Sequence, residues 1–251
     1  MPRIRDTIGM ARKTDVAIVL RRWEFSETSQ TVVALSREHG LVRGLAKGAL
    51  RPNGTFSGGF EPMTRGHLGW IVKSGRELAI LTEWMLEDVY WPARHAAAAN
   101  RAAIYAIDLV SRLLSDEDPH PEVYDALDVV LQELGPTPDP SIPLVRFQWS
   151  VLDAVGWRPV VDRDAITHEE LPSDADVHGF RPQAGGVVSH AQDGDWRVRR
   201  ETIVQLSQLA SGERLDDAET CSRASSLLAA YARELLGEQT EAMRQAFPKL
   251  S

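Results

Sequence analysis

The hydrophobic residues of this chain change their period once, near residue 85, and that change limits the available folds more than any single motif. Before it, apolar residues come in short runs at period two: VAIVLRRW (16–23), QTVVALS (30–36), LVRGLAK (41–47), HLGWIVK (67–73) and ELAILTEW (77–84). Arg-Glu-His-Gly (37–40) and Ser-Gly-Arg (74–76) read as tight connections between strands. Five short strands with glycine-containing turns, and the longest gap after the third, fit a partly open Greek-key barrel, the OB-fold. That fold often binds single-stranded nucleic acid across one face.

After residue 92 the period becomes helical. AAAANRAAIYAIDLVSRLL (96–114) sets Ala103, Ile107, Val110 and Leu114 on one stripe. HPEVYDALDVVLQEL (120–134) follows, with Pro121 placed where a first helical turn tolerates its missing N–H. GPTPDP (135–140) reads as a linker, because prolines on alternate positions oppose helix and sheet alike. PLVRFQWSVLDAVG (143–156) is helical again. Residues 157–199 lose any period and fill with Pro, Gly, Asp and His, and helical spacing returns from Glu201 through AETCSRASSLLAAYARELL (218–236). The expected architecture is α+β: an OB-fold over 1–85, a helical domain over 86–156, an irregular loop module over 157–199, and helices over 200–251 that complete the helical domain.

Charge follows the same division. The net charge is −8, yet residues 1–82 hold 13 Lys+Arg against 7 Asp+Glu, a net +6, while residues 83–251 carry −14. A basic first part on an acidic chain points to an anionic partner there. No run approaches the ~20 apolar residues of a membrane span. The opening MPRIRDTIGMARKTDV lacks the apolar core of a secretion signal, so a cytoplasmic protein is expected. The single cysteine, Cys221, excludes an intramolecular disulfide and sits at helical spacing with Ala224, Leu228 and Tyr231, as a buried packing thiol would.

LVRGLAKGALRPNGTFSGG (41–59) contains Arg43, Lys47 and Arg51 and no carboxylate. On an extended strand Arg43 and Lys47 share a face ~13 Å apart, a workable spacing for phosphates along one nucleic-acid strand. Gly44 and Gly48 would let the backbone curve and a partner approach. A solvated barrel edge kept soluble by charge explains the same residues. In LRRWEFSETSQ (20–30), Trp23 and Phe25 continue the side begun by Ala17 and Val19, so they are expected to fill the barrel core; stacking on bases is the alternative.

Taken together, SETSQTVVALSREHGLVRGLAKGALRPNG, FEPMTRGHLGW and GRELAILTEW resemble the amino-terminal domain of the bacterial RecO family. Lys47-Gly48-Ala49-Leu50-Arg51 is the most specific piece. ANRAAIYAIDLVSRLL and RFQWSVLDAVGWRPVV extend the resemblance along nearly the whole chain. It implies a non-catalytic recombination mediator that binds single- and double-stranded DNA and anneals complementary strands, including those coated by single-strand-binding protein (SSB). With RecR it would help load RecA at gaps. Lys47 and Arg51 match the family's basic motif and become the expected phosphate contacts; Arg43, Arg37 and Arg22 join them by proximity.

Many RecO-like chains carry two Cys-x-x-Cys pairs that hold zinc in the loop module. Here the matching positions are Asp164, Thr167, Ser189 and Gln192, so the module is expected to be a degenerate one with no metal. His168, His178 and His190 lie at spacings unlike a zinc-ligand pair and read as solvated loop histidines. Asp162, Asp164, Asp174 and Asp176 near His178 are a combination some metal nucleases use, but in such a loop carboxylates more simply solvate the chain. A protein–protein adaptor with little DNA affinity is the rival reading, favoured by the acidic second part.

Overall fold

The computed structural model describes residues 12–51, 55–56, 59–72, 77–135, 139–213, 215 and 217–250. The connection expected over 74–76, the PNG segment after Arg51 and the middle of the 135–140 linker lie outside the described residues. Two compact units emerge: one from the chain up to Val89 with Leu114–Tyr124, the other from Tyr90–Leu113 with Asp125 onward.

The first unit is a closed five-stranded barrel formed by β1 (Arg12–Ser26), β2 (Ser29–Ser36), β3 (Gly40–Ala46), β4 (Arg65–Ile71) and β5 (Ala79–Asp88), in the spatial order β1-β2-β3-β5-β4. All pairings are antiparallel except β3 with β5, which run parallel through Gly44–Ala79 and Leu45–Ile80. This is the OB-fold expected from the strand spacing. Its core sets small and β-branched residues of the first three strands (Ala17, Val19, Val32, Ala34, Val42, Ala46) against Leu68, Trp70, Leu81 and Trp84 of the last two. Gly44 is required by this fit, since a Cβ there would stand 2.4 Å from Leu81 Cδ2.

One irregularity in β1 overturns an expectation. Val19 pairs with Ala34, but Arg21 pairs with Val33, so Leu20 is an extra residue on its strand. Side chains alternate along a strand, and a one-residue slip exchanges the two faces. Ala17 and Val19 point into the core; past the bulge, Arg22 inherits the inward side and Trp23 faces out. Trp23 is 49% exposed and Phe25 64% exposed, so neither fills the barrel.

The second unit contains α1 (Trp91–His95), α2 (Ala97–Leu113), most of α3 (Pro121–Glu133), α4 (Ser141–Ala154), α5 (Arg200–Ala210), α6 (Ala218–Leu236) and α7 (Glu241–Ala246). Ala103, Ile107, Val110 and Leu114 are all buried, as their stripe requires. Cys221 is fully buried beside Ala224, Leu228 and Tyr231 in the core of this unit. Gln148, at the centre of α4, donates to the Tyr105 hydroxyl on α2 and the Ser225 carbonyl on α6, and accepts from the Ser225 hydroxyl.

The segment expected to be irregular contains a small antiparallel sheet: β6 (Val177–Arg181) lies between β7 (Gly186–Val188) and β8 (Trp196–Arg199). Its strands have three to five residues, too few to display a period. Phe180 anchors it, stacked on Trp196 with centroids 5.5 Å apart and edge-on to Tyr231 at 5.4 Å. No described helix is long and apolar enough to cross a membrane.

Candidate nucleic-acid interface

Each residue of Lys47-Gly48-Ala49-Leu50-Arg51 has a distinct structural role in the turn that leaves β3. Gly48 takes φ +72°, a conformation that favours glycine. Ala49 is fully buried in the barrel core and pins the turn. The Arg51 N–H closes it on the Gly48 carbonyl at 3.0 Å. Leu50 N–H donates to the Thr28 carbonyl at 3.1 Å and Gly48 N–H to the Ser29 hydroxyl at 3.3 Å, which ties the turn to the tip of the β1–β2 hairpin. Lys47 and Arg51 emerge exposed on either side, and neither forms an ion pair with a described residue. A Cβ at Gly48 would lie 3.3 Å from Arg51 Cδ, so the arginine stem folds back across its own turn.

Behind the turn, buried Gln30 accepts the Phe60 N–H at 2.9 Å and donates to the Phe60 carbonyl. This clamp seats Phe60 in the barrel against Trp84, ring centroids 5.2 Å apart. The platform that carries Lys47 and Arg51 is thus rigid from beneath.

The other three expected basic contacts have carboxylate partners. Arg43, on the outer face of β3, donates Nε to both oxygens of Asp116 at 2.7 and 2.9 Å. Arg22 meets Glu61 at 2.8 Å, and Arg37 meets Glu38 at 2.6 Å. Such part-exposed pairs are worth only ~0–1 kcal/mol, so a phosphate can exchange into them. Lys47 follows the end of β3 and does not continue the strand that carries Arg43. Trp23 and Phe25 are the interface candidates that period alone misplaces, because nothing in the alternation marks the bulge at Leu20.

In the second unit an open groove of about 430 Å³ runs between β8 and α6. Arg197, Arg199 and Lys249 line it without ion pairs to described residues, around the apolar Leu227, Ala230 and Leu250. Arg223 and Arg233 also reach it but are engaged by Glu201, Glu219 and Glu234. Spacing in the sequence does not reveal this groove, since its cations come from three separate elements.

The positions of a four-thiolate zinc site do not suit that metal. Asp164 is only 4% exposed, and its carboxylate accepts backbone N–H groups from Ile166 at 2.8 Å, Thr167 at 2.9 Å and Ser189 at 2.6 Å. Burial acts to raise its pKa, but these hydrogen bonds together outweigh it and hold the carboxyl well below the usual range. Both oxygens are therefore committed to backbone. His178 is buried, not solvated as expected, with Nδ1 3.2 Å from the Ser189 carbonyl oxygen. Asp162 is taken by Arg163, whose hydrogen bond lowers its pKa. Among the described residues no three His, Cys, Asp or Glu side chains are grouped to hold a metal, and the nuclease-like carboxylates do not converge.

Comparison with known proteins agrees with this architecture. The family described as "Recombination protein O N terminal" matches residues 10–90, and "Recombination protein O C terminal" matches 94–244. The DNA repair protein RecO of Rhodopirellula baltica is 29% identical over 217 residues, which cover 82% of this chain and 79% of that protein. The DNA repair protein RecO of Bacillus cereus (strain AH187) is 26% identical over 183 residues, 72% of this chain and 71% of its own length. With a barrel and a helical body each matched in order along the chain, the protein belongs to the RecO family of DNA repair and recombination proteins.

Proposed function

We propose that this chain is a non-catalytic recombination mediator. It binds single- and double-stranded DNA without sequence preference, anneals complementary strands, including SSB-coated ones, and with RecR helps load RecA at gaps on the nucleoid. The observation that supports this best is the pair Lys47 and Arg51, cations without an ion pair to any described residue, on a turn fastened to the barrel at Ala49, Thr28 and Ser29. Two DNA strands repel each other through their phosphates. Cations that neutralise phosphate lower that repulsion and leave base edges free to pair, which is what annealing needs. Arg43, Arg37 and Arg22 contribute by releasing weakly held carboxylates.

The SSB contact is proposed for the groove between β8 and α6. SSB of this pathway is expected to end in an acidic tail with a terminal phenylalanine. Arg197, Arg199 and Lys249, which form no ion pair with a described residue, suit its acidic part, and the apolar Leu227, Ala230 and Leu250 suit the phenylalanine.

Fluorescence anisotropy with single-stranded DNA over a salt series tests the reading. Log affinity should fall linearly with log salt, and the double variant K47A/R51A should flatten the slope by ~1–2. Absence of binding even at low salt, with SSB and RecR still captured, would instead establish a protein–protein adaptor.

A further inference from the structure

Two large rings stand in water at one end of the barrel. Trp23 faces outward because of the bulge at Leu20, and Phe25 sits beside a second slip in register, between Glu24 and Ser26. The ladder of β1 with β4 ends at Ile18–Arg65, so from Arg21 onward β1 is paired with β2 alone. Trp23 lies across from Thr31, which in turn lies across from Leu45. Half-buried Thr31 and Leu45 continue its face without covering it.

The position of these rings relative to charge selects what covers them. The hairpin tip is hydrogen-bonded through Thr28 and Ser29 to the turn that presents Lys47 and Arg51, so rings and cations belong to one rigid end of the barrel. Glu24 and Glu27 are exposed on the hairpin itself and repel phosphate. A polyanion lying here turns its phosphates toward Lys47 and Arg51 and its uncharged faces toward Trp23 and Phe25. Unpaired bases offer such faces; a duplex does not, because its bases are already stacked on each other.

We infer that the β1–β2 hairpin is a stacking platform for the bases of single-stranded DNA, with Trp23 and Phe25 receiving base faces while Lys47 and Arg51 hold the backbone. The inference rests on the DNA-binding reading above and adds a preference to it: the platform favours single strands over duplex. Each stacked base strengthens binding by roughly five-fold or more.

Anisotropy with the full-length protein and three probes tests this: a dT oligonucleotide, an abasic strand of the same length and charge, and a duplex. The wild type should bind the dT strand at least about five-fold more tightly than the abasic strand. W23A/F25A should close that gap while affinities for the abasic strand and the duplex hold, which also shows the variant to be folded; W23F, which keeps a ring, should retain most of the gap. A gap that persists in W23A/F25A overturns the platform, as does a variant that loses all three probes equally. Equal wild-type affinity for dT and abasic strands, with K47A/R51A still weakening both, overturns stacking and leaves phosphate contact standing. A wild type that binds none of the probes at low salt removes both.

Discussion

The carboxylate of Asp164 accepts the backbone N–H of Ser189 at 2.6 Å, across 25 residues of chain. Its other oxygen accepts from Ile166 and Thr167, so one buried side chain joins the two turns where the family resemblance leads one to look for zinc ligands. The join is reinforced by backbone bonds, Ala165 N–H to Val187 carbonyl at 2.7 Å and Val187 N–H to Val160 carbonyl at 2.9 Å.

D164N should destabilise the second unit by about 2–3 kcal/mol, because an amide N–H cannot accept where the carboxylate did. The sign of the pH dependence follows from the lowered carboxyl pKa in the folded state. This stabilisation is fully present above the unfolded value of about 4 and fades as pH falls toward the folded one. Denaturation followed by tryptophan fluorescence should show a clear gap between wild type and D164N at pH 7 and a smaller one at pH 3.

Asp116 holds Arg43 through both carboxylate oxygens and so masks one cation on the outer face of the barrel. D116A should free it, steepening the salt dependence of DNA binding by up to ~0.9. R43A should weaken binding less than K47A does, since Arg43 must first leave its partner. Anisotropy across salt reads both effects.

Gly48 and Gly156 share a left-handed backbone but not their surroundings. Gly48 has φ +72° with Arg51 Cδ 3.3 Å from where a Cβ would stand; Gly156 has φ +77° and open space. Alanine at either site should cost about 1–2 kcal/mol from backbone strain. Only G48A should also displace Arg51 and weaken DNA binding. Melting temperatures and anisotropy on the two variants separate strain from positioning.

Gln148 satisfies three polar groups where α2, α4 and α6 meet. Q148L keeps the volume but orphans the buried Tyr105 and Ser225 hydroxyls, at about 1–3 kcal/mol each. Chemical denaturation should register a loss of that order, while DNA affinity at a temperature where the variant is folded stays unchanged.

Local pattern was enough for the barrel strands and the long helices, though not for the three short strands between Val177 and Arg199. Period two over 16–84 and helical spacing over 96–114 and 218–236 each report on neighbours a few residues away, which is the range over which backbone geometry sets side-chain direction. Lys47 and Arg51 come from the family resemblance and not from the period, and the turn that carries them is held by Thr28 and Ser29 of the neighbouring hairpin as well as by Gly48 and Ala49. Tertiary pairing alone decided the rest. The bulge at Leu20 exists because β1 must register with β2 on both sides of it, and that slip turned Trp23 from the core to the surface. Arg43 met Asp116 from 73 residues away, and Asp164 met Ser189 from 25; no local period encodes the partner of a side chain that folding brings from so far along the chain.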